Sequence, residues 1–320
     1  MKIAFAGAFA IRLEAPVRAH LPSGCDVIAA DEADIATKLG DVDVLVAMVF
    51  TREMAAVARR LKLVQVPGAG LDRIDQGALP AGAALANAYG HEVGIAEYVI
   101  GAMLALTREL GRLDTALRAG VWDSQWAIGV PPPAPWPELA GKTLGILGYG
   151  RIGQCLARRA RAFDMTVRAI RRSTVASDGL AHVESPRALD DVLARADYLA
   201  VTMPLTRETR GLLGARELAL MKRSAVLVNP ARAEIVDEDA LYEALAGRRI
   251  AAAALDVWYR YPSKPGAAPP AHRPFHELPN VLMTPHVSGW TEGMLDARAK
   301  LIADNVSRIA RGEAPLNLIV

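Results

Sequence analysis

The sequence predicts an α/β protein with parallel sheets in two domains, on three observations. Short apolar runs alternate with helix-compatible segments from end to end, the βαβ pattern of a parallel sheet. One run, residues 143–147, leads straight into Gly148, Gly150 and Gly153 in G-x-G-x-x-G spacing. The 320 residues, 52% of them hydrophobic, suffice for two ordinary cores.

In the first half, residues 2–6, 44–48, 61–66 and 83–87 read as buried strands separated by polar, helix-compatible stretches. The third of these ends in Pro67-Gly68-Ala69-Gly70. Residues 92–117 read as one long apolar-periodic helix, too long for a simple crossover and able to carry the chain between domains. The segment 121–137 holds three Trp and five Pro, so it reads as an ordered loop or hinge.

In the second half the strands are 143–147, 166–170, 198–202, 225–229, 251–256 and 281–284. Helices are expected over 154–162, over 237–248 with Asp237 and Glu238 in the first turn, and over 294–311. Residues 262–274, rich in Pro and Ala, read as an irregular loop.

Strand, glycine turn and helix together are the context of a dinucleotide fingerprint. Gly148 permits the sharp turn, Gly150 lets backbone approach a pyrophosphate, and Gly153 lets helix pack on strand. The amides at the helix start face the phosphate charge. An NAD-type site ends the next strand in a carboxylate that holds the ribose 2′-hydroxyl. Here that strand ends in Arg171-Arg172-Ser173, two guanidinium groups and a hydroxyl suited to a 2′-phosphate. The same residues would also make a solvated basic turn. The expectation is NADP(H), with NAD(H) possible.

The net charge of +2 and the absence of a Lys/Arg run give no indication of nucleic acid or an acidic membrane surface as partner. Only Cys25 and Cys155 are present, far apart, which fits a reducing cytosol and no structural zinc. No apolar run approaches membrane-spanning length. The expected location is cytoplasmic.

The chain resembles the D-isomer-specific 2-hydroxyacid dehydrogenase family, in particular its 2-keto acid (glyoxylate/hydroxypyruvate) reductases. The motifs that carry this are VPGAGLDRID (66–75), AEY (96–98), ELAGKTLGILGYGRIGQ (138–154), PLTRETRGLL (204–213), NPARAEIVDEDAL (229–241), LDV (255–257) and PHVSG (285–289). The resemblance implies two doubly wound, Rossmann-like domains with the active site in the interdomain cleft. Residues 1–95 plus 291–320 would form a flavodoxin-like substrate domain, and 96–290 the dinucleotide domain. A homodimer is usual in the family, and apolar residues 95–106 are compatible with one.

The implied reaction moves a hydride between a nicotinamide and the 2-carbon of a keto or hydroxy acid. Arg232 matches the arginine that grips the carboxylate and polarises the carbonyl. His286 matches the acid/base histidine. Asp256 matches the acceptor for the nicotinamide carboxamide. The backbone at Ala69 and Gly70 matches the loop that holds the substrate carboxylate. The cofactor would further be lined by Arg151, Ile152, Met203, Pro204, Thr209, Asn229, Pro230, Ala231 and Gly289.

Two departures stand out. Relatives carry Glu-Pro shortly after the LDV segment, and the Glu supports the histidine; here Tyr261 precedes Pro262. A neutral partner orients an imidazole without stabilising its charge. Tyr261 is expected to position His286 or face the substrate, with Glu277 or Glu92 as possible substitutes in space. The other departure is His91, which either faces the substrate or caps the following helix. Trp258, Tyr259, Tyr261 and Trp290 are pocket candidates, although core packing is the commoner fate of such residues. Two alternative readings stay open: a formate-dehydrogenase-like oxidant, and a catalytically silent, corepressor-like dinucleotide-binding protein.

Overall fold

Alternate residues of the first strand face opposite sides, and both sides are apolar. A strand with that pattern must be covered twice. In the computed structural model, which describes residues 1–173, 178–262, 264 and 266–320, Ile3 and Phe5 join one buried cluster while Ala4 and Ala6 join another. The chain forms two compact units, Met1–His91 with Trp290–Val320, and Glu92–Gly289.

The first unit carries β1 (Lys2–Ala6), α1 (Ala8–Arg18), β2 (Asp26–Ala30), β3 (Val44–Ala47), α2 (Arg52–Val57), β4 (Leu63–Gln65) and β5 (Ala84–Ala86). The strands form a parallel sheet in the order β2-β1-β3-β4-β5. The last helix of the chain (Glu292–Ala310) returns to this unit, and its Ile302 and Val306 pack with Ile3, Phe5 and Leu13. Beyond it the chain pairs with β5: Leu85 N donates to Val320 O at 2.8 Å, and Ile319 N to Leu85 O at 2.8 Å.

The second unit opens with α3 (Glu92–Thr107) and α4 (Leu110–Arg118). The single helix expected over 92–117 is therefore two. Glu109 breaks it at φ +50°, outside helical geometry, and its carboxylate meets Arg112 Nε at 2.5 Å at the start of α4. The apolar residues Ile95, Ala96, Val99, Ile100, Ala102 and Met103 pack in this unit's own core.

β6 (Thr143–Leu147), α5 (Arg151–Ala162), β7 (Thr166–Ile170), β8 (His182–Glu184), α6 (Leu189–Arg195), β9 (Tyr198–Val201), α7 (Ala215–Leu220), β10 (Val226–Asn229), α8 (Glu238–Ala246), β11 (Ala252–Leu255) and β12 (Val281–Met283) follow, and α9 is the returning helix. The sheet is parallel, in the order β12-β11-β10-β9-β6-β7-β8. Asp237 is the N-cap of α8, its carboxylate accepting from Ala240 N at 2.8 Å, rather than a first-turn residue. Residues 263 and 265 of the expected irregular loop lie outside the described residues.

The sequence reading missed β2 and β8. Both are edge strands with partly exposed residues; β8, His-Val-Glu, lacks the apolar run of a central parallel strand, whereas β2 carries one over residues 27–30 that went unread. Among the described residues no helix is long and apolar enough to cross a membrane. Cys25 and Cys155 are free thiols.

Candidate active site

Five adjacent strands of the second unit, β12-β11-β10-β9-β6, run parallel, so their carboxyl ends share one edge of the sheet. Open parallel sheets bind ligands at that edge. After β6, Gly148 has φ +105°, and a Cβ there would meet Met203 N at 2.6 Å. A Cβ on Gly153 would meet Gly148 O at 2.7 Å, whereas one on Gly150 would meet nothing within 4 Å among the described residues. Two glycines thus serve close packing, and the third leaves its side open. The first bond of α5 runs from Gln154 N to Gly150 O at 2.9 Å, and the N-cap Gly150 makes no side-chain cap of its own, so the helix start faces the turn through backbone. This turn fits a pyrophosphate. Thr202 secures it, donating to Gly148 O at 2.8 Å. Beyond Met203 and Pro204, the Thr209 hydroxyl donates to Pro204 O at 2.8 Å and folds that loop.

At the end of β7, Arg171 turns back onto the glycine loop: Nη1 donates to Tyr149 O at 3.0 Å and Nε to Ser173 Oγ at 3.1 Å. Arg172 is exposed and lends positive charge to the Glu208 carboxylate. A residue the sequence did not flag, Asp178, accepts from the Tyr149 hydroxyl at 2.6 Å. Burial opposes its charge, but that bond and backbone amides hold its carboxyl below the usual range. No local pattern marks it, since its partner lies 29 positions away.

Arg232, Asp256 and His286 leave the carboxyl ends of three neighbouring strands, β10, β11 and β12. Asn229 shapes the first of these loops, with Nδ2 donating to Arg232 O at 2.9 Å and Oδ1 accepting from Ala231 N at 3.1 Å around Pro230. Arg232 Nη1 donates to Ala231 O at 2.8 Å. Asp256 is fully buried. Its Oδ1 accepts from Thr284 Oγ1 at 2.7 Å and Val287 N at 2.8 Å, and its Oδ2 from Ser288 N at 2.8 Å. The carboxylate therefore clamps the loop that bears His286 and ends at Gly289. His286 itself has φ +59°, a left-handed backbone that costs a non-glycine residue on the order of 1 kcal/mol.

The Tyr261 hydroxyl is 2.7 Å from His286 Nδ1, and Trp258 N donates to the same oxygen at 3.4 Å. Tyr261 is 54% exposed as a residue, and the partial desolvation of its hydroxyl pushes its pKa up, against the Trp258 amide and the Arg232 charge. Arg232 thus acts electrostatically on the group that holds His286. Glu277 is exposed beside His276, 3.9 Å from its Nε2. Trp258 and Tyr259 are core residues rather than pocket lining: Trp258 is 6% exposed, its Nε1 donating to Thr284 O at 2.8 Å, and Tyr259 stacks on Phe275. Burial drives the Tyr259 pKa far above its ordinary value.

In the first unit, Asn87 Nδ2 donates to Ala69 O at 3.1 Å and Ala88 N to Gly68 O at 3.1 Å, which fixes the turn at Ala69 and Gly70. His91 is buried, its Nδ1 2.8 Å from Nη2 of Arg298 on α9. Neither of its two expected roles included that partner. Trp290 stays partly exposed and meets Phe9 edge-on at 5.6 Å between centroids.

The family profile described as "D-isomer specific 2-hydroxyacid dehydrogenase, NAD binding domain" matches residues 100–288, more than half of the chain. The chain belongs to the D-isomer specific 2-hydroxyacid dehydrogenase family. Family relatives include a D-3-phosphoglycerate dehydrogenase of Methanocaldococcus jannaschii, 35% identical over 295 residues, covering 89% of this chain and 53% of that protein. A second, of Archaeoglobus fulgidus, is matched over 47% of its length, so the chain spans about half of these two relatives. A glyoxylate reductase of Thermofilum pendens is 32% identical, with 95% of this chain and 91% of that protein covered. Among solved structures, an NADPH-dependent glyoxylate/hydroxypyruvate reductase of Sinorhizobium meliloti, in complex with NADP and sulfate, aligns with a TM-score of 0.81 and 26% identity. That alignment covers 99% of this chain and 97% of the other.

Proposed function

We propose that this protein interconverts a 2-keto acid and a D-2-hydroxy acid with a nicotinamide dinucleotide, NADP(H) in preference to NAD(H). The observation that carries the reading is the placement of Arg232, Asp256 and His286 at the carboxyl ends of three adjacent strands, with Tyr261 joined to His286. When bound, the nicotinamide supplies or accepts the hydride. The glycine turn, Arg151, Ile152, Met203, Pro204, Thr209, Pro230, Ala231 and Gly289 are the proposed cofactor contacts, with Arg171, Arg172 and Ser173 toward a 2′-phosphate. Asp256 is proposed to accept from the carboxamide with lone-pair capacity beyond its three loop bonds.

The Arg232 guanidinium grips the substrate carboxylate and draws charge onto the carbonyl oxygen. His286 gives the proton on Nε2 to the developing alkoxide in reduction and takes it back in oxidation. After donation, the proton left on Nδ1 has the Tyr261 oxygen as acceptor. The raised Tyr261 pKa keeps the phenol neutral, so it orients the ring without adding charge. The backbone at Ala69 and Gly70, His91 and Trp290 are the proposed substrate contacts of the first unit.

The neutral partner at position 261 also favours a second reading, formate oxidation. Following NADPH and NADH absorbance with glyoxylate, hydroxypyruvate, pyruvate and phenylpyruvate, and NAD(P) reduction by formate, decides between them. Cofactor binding by thermal shift with no turnover on either panel would defeat both. A homodimer is proposed as well, through the exposed apolar residues Leu110, Leu117, Trp122, Trp126, Ile128 and Val130, and light scattering of the purified chain tests it.

A further inference from the structure

The left-handed backbone of His286 needs neighbours that hold it, and the hydrogen bonds around Asp256 form a directed chain. Asp256 is fully buried, and its carboxylate only accepts. The one proton of the Thr284 hydroxyl goes to Asp256 Oδ1, 2.7 Å away. The Tyr98 hydroxyl, 2.7 Å from Thr284 Oγ1, must then be the donor in that contact. Burial, opposed by the Thr284 bond and aided by the Asp256 charge, pushes the Tyr98 pKa up to about 12, so the phenol keeps its proton. The direction runs from Tyr98 on α3, through Thr284, to Asp256. The carboxylate then receives the amides of Val287 and Ser288, the two residues after His286. Thr284 is held from its other side, its carbonyl accepting from Trp258 Nε1 at 2.8 Å and from His286 N at 3.1 Å.

We propose that Tyr98 and Thr284 are positioning residues for His286: they aim the Asp256 carboxylate, and the carboxylate fixes the backbone that presents the imidazole. This rests on the reading of His286 as the acid/base group. Acting through the loop rather than on the acid itself, they are expected to govern turnover and not binding of the acid.

The test uses the full chain as wild type, Thr284→Val, Thr284→Ser, Tyr98→Phe and His286→Asn. Amide hydrogen exchange at Val287 and Ser288 is followed without cofactor or substrate. Steady-state kinetics use whichever acid of the glyoxylate, hydroxypyruvate, pyruvate and phenylpyruvate panel the wild type reduces fastest. In Thr284→Val the two amides exchange at least ~10-fold faster, because their acceptor is no longer held. The same variant loses ~10- to 100-fold in kcat while the KM of the acid moves less than about 2-fold. Thr284→Ser, which keeps the hydroxyl, restores both quantities. Tyr98→Phe falls by roughly 5-fold in kcat, the effect of one lost neutral hydrogen bond.

Unchanged exchange in Thr284→Val overturns the proposal, as does faster exchange with wild-type kcat, or a Ser variant as impaired as Val. If Thr284→Val does not fold, Tyr98→Phe decides: wild-type exchange and kcat there overturn it. A His286→Asn variant that retains turnover overturns the acid/base reading instead. The exchange arm needs no turnover and stands apart from that failure.

Discussion

Tyr261 and His286 are joined by a 2.7 Å hydrogen bond between the phenol oxygen and Nδ1. A phenol whose pKa is raised by burial brings direction to the imidazole and no charge. Tyr261→Phe should lower kcat for keto-acid reduction by about 10-fold, the loss of an orienting bond to a charged group. Tyr261→Glu should carry the fall-off of reduction to higher pH. The sign follows from charge: a carboxylate stabilises the imidazolium, so the proton-donating form persists further into base. A pH profile of kcat/KM measures both, and coincident profiles for all three proteins would remove Tyr261 from the mechanism.

Arg232 is expected to be intolerant of Lys. A point charge lacks the planar fork that spans carboxylate and carbonyl oxygens. Arg232→Lys should lose on the order of 100-fold in kcat/KM, with thermal stability unchanged. A decrease below 3-fold would mean the guanidinium does not bridge the acid.

Arg172 and Ser173 should govern the choice of cofactor more than Arg171. Arg171 is occupied with the Tyr149 carbonyl and with Ser173, whereas Arg172 is exposed. Arg172→Ala should raise the KM for NADPH by ~10-fold and leave that for NADH nearly constant, since only the former carries a 2′-phosphate. Equal or better kcat/KM with NADH in the unmodified protein would refute the preference outright.

The glycines of the fingerprint should separate by phenotype. Gly148→Ala puts a Cβ 2.6 Å from the Met203 amide nitrogen at φ +105°, so it should cost about 2 kcal/mol or more of stability as well as cofactor affinity. Gly150→Ala meets no atom within 4 Å among the described residues and should fold normally while weakening NADPH binding. Melting curves with and without NADPH read both effects.

Asp197 should make the second unit sensitive to acid. Burial opposes its ionisation, yet Lys222 at 2.8 Å and the Thr143 amide at 2.9 Å hold its carboxyl below the ordinary value. Its contribution is therefore present above the unfolded carboxylate pKa of about 4 and is lost as pH falls through the folded one. The melting temperature should drop below pH ~4, and Asp197→Asn should flatten that drop while lowering stability at neutral pH.

The central strands and the glycine turn were legible because their signal is local: a buried parallel strand is an apolar run, and the turn is a fixed spacing. β8 escaped because this edge strand is solvated and polar, His-Val-Glu, while β2 was missed although residues 27–30 are an apolar run. The break at Glu109 escaped because nothing in the composition of residues 107–110 forbids a helix there. At the candidate site, motif order marked Arg232, Asp256 and His286. It did not show that Asp256 clamps residues 284–288, that Asp178 ties down Tyr149, or that Arg298 reaches His91. Each of those contacts joins residues at least 28 positions apart, beyond any periodicity. Trp258 and Tyr259 could be pocket or core from sequence, with core the commoner fate, because aromatic side chains serve cores and ligands alike.

The pairing of residues 318–320 along β5 has a practical side. A sheet margin left bare is a template on which another molecule can add a strand. Trimming three residues from the carboxyl end would uncover Leu85 and Ala86, and the expected penalty is self-association during refolding rather than any change at the nicotinamide.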